Sequence, residues 1–365
     1  MADYHKLQSV KVQGYKSIRD QEIKISNLNV LIGQNGAGKS NFISLFEFLK
    51  NIINQRLQFV VKKAGGADQL LYYGGKTTDH IFIHLDFYPN LYRISLIPTA
   101  GDTLFIQAED CGYWRNIGAN INNPYWSVAT RSKDESILAT PGRTTVQQYT
   151  FDALKNWRVY HFHDTSESSG MKKYSSISDN AFLFEDASNI AAYLYFIRES
   201  EPDYYIRIVK TVQLVVPFFK NFSLRPNPLK TDTIILEWQD QFSEKIFPAS
   251  VLSDGSLRFI CMATLLLQKN LPMLIILDEP ELGLHPTAIT VLAGLLRKAS
   301  SRSQIIISTQ SVNLVNEFEA EDIIVVDRNE GESVFNRLDP DQLENWLNTY
   351  SLGDIWEKNV IGGAP

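Results

Sequence analysis

Polar and apolar residues alternate through the first 32 positions. "KLQSVKVQGY" and "QEIKI" read as half-buried strands, and "LNVLI" reads as a short strand buried on both faces. A glycine-rich stretch, "LIGQNGAGKS", follows. The period then changes: Phe42, Leu45, Phe46 and Leu49 recur at helical spacing. From about Gln58 to Tyr160 the pattern is that of short strands such as "HIFIHLDFY", "YRISLIP" and "DTLFIQA", broken by Gly, Asn and Pro. This predicts an antiparallel β-rich insertion, within which the polar "RSKDESILATPGRTTVQQYTF" reads as partly mobile. "WRVYHFHD" is strand-like, and "ASNIAAYLYFIRES" and "DYYIRIVKTVQLVVPFF" are helix-like. "LSDGSLRFICMATLLLQ" is a loop leading into an apolar helix, and "PTAITVLAGLLRKAS" is a helix opened by Pro286. "PMLIILDEPE", "SQIIISTQS" and "DIIVVDR" are continuous apolar runs. Such runs alternating with helices predict an α/β fold with a parallel sheet covered on both faces.

Composition narrows the picture without locating a site. The chain of 365 residues is 44% hydrophobic and 21% charged, which fits a globular protein with a large core. No apolar run approaches the roughly 18 residues that cross a bilayer, and "MADYHKLQSV" lacks the apolar centre of a signal peptide. Cys111 and Cys261 stand far apart, without metal-type spacing, so free thiols in a cytoplasmic protein are expected. A net charge of −6 makes no global case for nucleic acid, although a local basic patch stays open.

The chemistry begins at the glycine loop. Gly33, Gly38, Lys39 and Ser40 fit G-x-x-x-x-G-K-[ST], with a buried strand before and a helix after. A helix N-terminus offers unpaired N–H groups and a favourable dipole to an anion, and glycines let the backbone curl around a phosphate. Asn35, Gly36, Ala37, Gly38, Lys39, Ser40 and Asn41 are therefore the candidate contacts to ATP. Lys39 would bridge the β- and γ-phosphates, and the Ser40 hydroxyl would hold Mg2+. The acidic end of "LIILDEPE" is the second element. Asp278 is a candidate Mg2+ ligand, and Glu279 a candidate general base for water. Glu281 is expected exposed, or standing behind the metal ligands. His285, ahead of Pro286, is expected to cap the next helix.

In order along the chain, "GQNGAGKS", "LSDGSLR", "LIILDEPELGLHP" and "IIISTQS" resemble the motifs of ABC-type ATPase heads. With the opening "VQGYKSIRDQEI" and the closing "YSLGDIWEKNVIGGAP", the chain resembles more closely the RecF/SMC/OLD-like branch, the AAA15/AAA21 ATPases. The resemblance is good at both ends and over 250–330, and weak over 55–160. It implies a P-loop fold of ABC head type, with a mixed or parallel central sheet, an antiparallel β N-terminal subdomain and a helical lobe. It also implies a composite site. Ser253, Asp254 and Gly255 would reach the γ-phosphate held by another copy, so that a homodimer, or a higher oligomer of dimers, encloses two ATP. On residue chemistry alone Ser253 or Asp254 is equally a good helix cap. Arg258, one turn on, is open as a nucleotide sensor or as a partner for a surface acid. Gln310 departs from the histidine that many ABC transporters carry. Its amide can donate to a γ-phosphate oxygen but cannot become cationic, which implies slow turnover. In this branch the turn "GYKSIRD" lies by the base or ribose, making Lys16, Ser17, Ile18 and Arg19 candidates there. A basic surface turn is the equal alternative. Gln69 is one candidate for the glutamine joining nucleotide to the helical lobe.

The expected domains are an N-terminal lobe with the phosphate loop (1–54), the β-rich insertion (55–160), a helical lobe (161–248) and a C-terminal lobe carrying the signature, acidic strand end and switch loop (249–365). His161 and His163 share a strand face, and a structural role is favoured over a metal site. Tyr125, Trp114 and Trp126, interleaved with Arg115, Arg131 and Lys133, suit base stacking, a small core or a protein interface. Without coiled-coil arms, a zinc hook or an appended nuclease, the expected protein is an ATP-driven dimerisation switch. It would act on a separate effector, a nuclease or toxin, in anti-phage defence or DNA maintenance, with DNA binding open and no membrane partner. The alternatives are an ATP-bound scaffold that restrains an effector, and a RecF-like DNA-binding repair ATPase.

Overall fold

The computed structural model describes residues 6–114 and 124–364. The chain forms two compact units, Met1–Trp157 with Glu319–Pro365, and Arg158–Phe318.

In the first unit the early alternation becomes strands β1 (Ser9–Tyr15) and β2 (Ile18–Lys24), paired antiparallel with Val10 opposite Ile23. Strand β3 (Leu28–Ile32) is buried at every position, as its unbroken apolar run requires. Strands β4 (Ile81–Phe87), β5 (Asn90–Pro98), β6 (Leu104–Tyr113) and β7 (Tyr125–Lys133) complete a six-stranded sheet in the order β2-β1-β4-β5-β6-β7. Val10 and Val12 of β1 stand opposite Leu85 and Ile83 of β4, and all four are fully buried. The strands of the β-rich region thus extend the N-terminal sheet, because their apolar faces share one core.

Helix α1 (Lys39–Ile53) buries Phe42, Leu45, Phe46 and Leu49, the positions its period singles out. Phe48 stacks on Tyr15 at 5.5 Å, and Phe46 and Phe87 both pack on Trp157, at 5.7 and 6.4 Å. Burying each such ring contributes roughly 2 kcal/mol, so α1 is held in place by its packing. Strand β3 runs parallel to Ile323–Asn329, which pairs antiparallel with Glu332–Arg337. Residues 131–151, read as partly mobile, are built into the unit. The Glu135 carboxylate accepts from the backbone of Leu57 and Gln58 at 2.8 and 3.0 Å, Leu138 is fully buried, and a Thr144–Gln147 capping box opens the helix Thr145–Lys155.

The second unit holds the parallel pair Leu274–Asp278 and Gln304–Ser308, with Asp278 beside Ser308. Around it lie the helices Ile190–Ser200, Pro202–Val215, Asp254–Leu267 and Pro286–Ser300. Two small three-stranded antiparallel sheets complete it. Asp254–Leu267 is buried along nearly its whole length beyond Leu257, in keeping with its uninterrupted apolar sequence. Among the described residues, no helix is long and apolar enough to cross a membrane.

Candidate functional site

The loop between β3 and α1 is shaped by glycine. Gly33, Gly36 and Gly38 have φ of +149°, +79° and +122°, a region that side chains rarely adopt. Space forbids a side chain as well. A Cβ on Gly33 would lie 2.1 Å from the Val326 carbonyl oxygen, and one on Gly38 would lie 2.1 Å from Ser333 Oγ. Gly38 opens α1 without a side-chain cap, and the first turn carries no acidic residue. The Lys39 ammonium is 5% exposed and donates to the carbonyls of Gly33 and Gln34, both within the loop. Asn35, Gly36 and Ser40 are exposed, whereas Ala37 is buried. These residues suit an anionic phosphate: the backbone fits only without Cβ atoms, a helix N-terminus opens onto it, and one buried cation stands beside it.

Ser17 and Ser333 underpin this loop. Ser17 Oγ accepts from the Asn41 side-chain amide at 2.7 Å and lies 2.7 Å from Ser333 Oγ, which itself donates to the Ala37 carbonyl. The Ser333 N–H donates to the Ser17 carbonyl at 2.7 Å. Lys16, at φ +49°, donates to Ser44 at 2.8 Å, and burial pulls its ammonium below the usual lysine range. Lys16, Ser17, Gly36 and Asn41 line a cleft of about 660 Å³, with Gln69 and Arg328 also on its wall. The other two candidates of that turn lie elsewhere. Ile18 is fully buried, and Arg19 lines a different cleft with Gln13 and Tyr72. The period of β2 already held that signal, since alternation sends Ile18 and Arg19 to opposite faces.

In the second unit, three consecutive side chains of one strand end meet three acids. Ser308 donates to Asp278, Thr309 to Glu281 and Gln310 to Glu279. The Glu279 N–H donates to the Ser308 carbonyl at 3.0 Å, and Glu279 itself sits at φ +42°. A non-glycine residue held there costs about 1 kcal/mol, and such strain persists where neighbours over-determine it. Glu281 is 8% exposed, so of its two expected places the exposed one does not hold, and one of its carboxylate oxygens has no hydrogen-bond partner among the described residues. Burial pushes its carboxyl up to about 7, against the opposing hydrogen bond from Thr309 and with Glu279 adding to the rise.

Ser253 caps the helix Asp254–Leu267, its hydroxyl accepting from the Ser256 N–H at 3.2 Å, and both Ser253 and Asp254 are exposed. Gly255 is confined, since a Cβ there would lie 2.3 Å from the Gly283 carbonyl oxygen. Among the described residues Arg258 pairs with no acid. Its guanidinium donates to the carbonyls of Phe162, Leu282 and His163, at 3.2, 2.9 and 2.9 Å. It ties the signature helix to the turn after the acidic strand. His285 caps its helix, as expected, accepting from Thr287.

Among the described residues no group of three His, Cys, Asp or Glu is placed to hold a metal, and Cys111 and Cys261 are buried free thiols. Arg131 and Arg93 share the buried Asp110 at 2.5 and 3.0 Å, and Arg93 lies 4.0 Å over Trp126. Arg115 lies outside the described residues. Ser333 and Val326 join the architecture of the phosphate loop from positions that no local motif marks.

Two family models match the chain. One is described as an AAA ATPase domain and covers residues 6–123; the other, described as AAA domain, putative AbiEii toxin, Type IV TA system, covers 151–316. No curated protein matches in sequence. Among solved structures, an SMC head bound to the C-winged helix domain of ScpA is 15% identical with a TM-score of 0.57, covering 93% of this chain and 99% of that one. An SMC head domain with an extended coiled coil, bound to the C-terminal domain of ScpA derived from Pyrococcus furiosus, is 14% identical with a TM-score of 0.54, covering 94% and 98%. At these identities the likeness speaks to fold. The chain is an ATPase head of the AAA15/AAA21 type, built on the ABC-type P-loop fold of SMC heads.

Proposed function

We propose that this head binds ATP with Mg2+, hydrolyses it slowly, and pairs head-to-tail with a second copy so that nucleotide state is passed to a separate effector. The observation that carries the reading is the phosphate loop, with its three glycines in the left-handed region and Lys39 buried within it. The loop amides and Lys39 take the phosphates, and Lys16, Ser17 and Asn41 line the cleft for the rest of the nucleotide. Ser40 and Asp278 hold Mg2+, which when bound neutralises phosphate charge. Glu279 takes the proton of the attacking water, and the Gln310 amide orients it or donates to the γ-phosphate. The Gln310–Glu279 hydrogen bond supports their acting as a pair. A neutral amide stabilises transition-state charge less than a cation does, which supports slow turnover. Ser253, Asp254 and Gly255 open a second helix N-terminus for a phosphate on the partner copy. The description of the second family model, which names a putative toxin and a Type IV TA system, supports a link to a toxin.

A second reading is a non-cycling ATP-bound scaffold, favoured by the same Gln310 contact, which keeps the Glu279 carboxylate engaged. Turnover and nucleotide binding measured on Lys39→Ala and Glu279→Gln separate them. A switch loses binding in the first and turnover in the second. Equal, negligible turnover in the parent and in Glu279→Gln, with binding intact in both, sinks the switch in favour of the scaffold.

A further inference from the structure

The segment "YSLGDIWEKNVIGGAP" has no part in the proposed chemistry, yet the Gly362–Gly363 turn within it packs on the phosphate loop through Gly363. Gly362 and Gly363 adopt φ of +79° and +59°. A Cβ on Gly363 would lie 3.2 Å from the Gly33 Cα and 2.8 Å from Val325 Cγ1. One on Gly362 would lie 2.5 Å from Asp327 Oδ2. The turn is held by three groups. Its Gly363 N–H donates to both Asp327 carboxylate oxygens at 3.0 Å, its Gly363 carbonyl accepts from Trp356 Nε1, and the Trp356 ring is fully buried. Gly33 also meets the Val326 carbonyl oxygen, itself 3.4 Å from the same Cβ position on Gly363, so the first glycine of the loop is packed against two stretches of backbone. Gly33 in turn offers the carbonyl that receives the Lys39 ammonium.

We infer that the Gly362–Gly363 turn is a positioning element for nucleotide binding: it fixes the Gly33 peptide, and through it the Lys39 ammonium. A side chain at 363 pushes on Gly33 or on Val325, neither of which has a flexible tip to yield. The Gly33 carbonyl then turns, and Lys39 loses its place beside the phosphates. The inference rests on the nucleotide reading of the loop.

The experiment titrates a fluorescent ATP analogue into the full chain carrying Gly363→Val, Trp356→Phe, Lys39→Ala or Leu96→Ala, each shown folded by circular dichroism at the working temperature. Leu96 is fully buried in β5, away from the loop, and supplies a stability control. Gly363→Val is expected to weaken binding about tenfold while turnover at saturating ATP stays within about twofold, a loss of uniform binding. Trp356→Phe removes the donor to Gly363 and leaves a smaller ring in the same buried place, so about a threefold loss is expected and serves if Gly363→Val does not fold. Leu96→Ala should melt earlier with affinity unchanged. The inference is overturned if folded Gly363→Val, or Trp356→Phe in its place, binds the analogue as the parent does. If Lys39→Ala also binds as the parent does, the loop is not the nucleotide site and the nucleotide reading itself falls.

Discussion

The phosphate loop and the acidic strand end are built in opposite ways. The loop is backbone: glycines pressed against the Val326 carbonyl, Ser333 and Gly363, with one lysine folded inward. The acidic end is side chain: Ser308, Thr309 and Gln310 each engage one of Asp278, Glu281 and Glu279. Backbone amides fixed by packing recognise an anion whatever the pH. A set of hydroxyl, amide and carboxyl groups can be repopulated by a proton or a rotamer. The difference places affinity in the first region and rate in the second.

The sharpest break between the two is Glu279→Gln. Turnover should fall by about 10²–10⁴ while ATP affinity stays close to that of the parent, since a general base acts only in the transition state. Steady-state hydrolysis and equilibrium binding check this together. A joint loss of both would merge the two regions into one.

Glu281 sharpens the comparison through pH. Burial lifts its carboxyl from 4.5 to about 7, so the unfolded chain releases this proton first. Folding therefore loses up to about 3 kcal/mol from this group as pH rises from 4.5 to 7, with no further loss above. Glu281→Gln should flatten the stability–pH curve over that window relative to the parent. Urea unfolding at several pH values reads it, and identical slopes in both proteins contradict the assignment.

Thr309→Val removes the one hydroxyl that donates to Glu281 and keeps the shape. A buried acceptor left without a partner costs about 1–3 kcal/mol, visible as a lower urea midpoint at pH 7, while ATP affinity holds. Arg258→Lys is the mildest. A point charge cannot serve three carbonyls as the planar guanidinium does, and a loss of about 1 kcal/mol in unfolding free energy is expected. No change at all would remove Arg258 as the tie between the signature helix and the turn after the acidic strand.

The same contrast decides what was legible. The loop motif is contiguous and its glycines answer a local backbone demand, so eight letters read it. Ser253 and His285 obey capping rules that act within three residues. The supports of the loop obey no local rule, because Ser333 and Ala37 lie 296 positions apart in sequence. The sequence left Arg258 open between sensing nucleotide and pairing with a surface acid, whereas its acceptors are carbonyls, which every residue carries and no sequence singles out. The burial of Glu281 was hidden by the acidic company it keeps. Residues 131–151 looked loose because their order comes from polar side chains such as Glu135 reaching distant backbone, not from an apolar period.

The most direct measurement is the mass of the Glu279→Gln protein in solution, by light scattering on a sizing column, with and without Mg–ATP. A monomer without nucleotide that becomes a dimer with it, and that stays a monomer when Ser253→Arg blocks the signature helix, is the expected result. A Glu279→Gln protein that binds ATP and remains a monomer contradicts the shared two-ATP site.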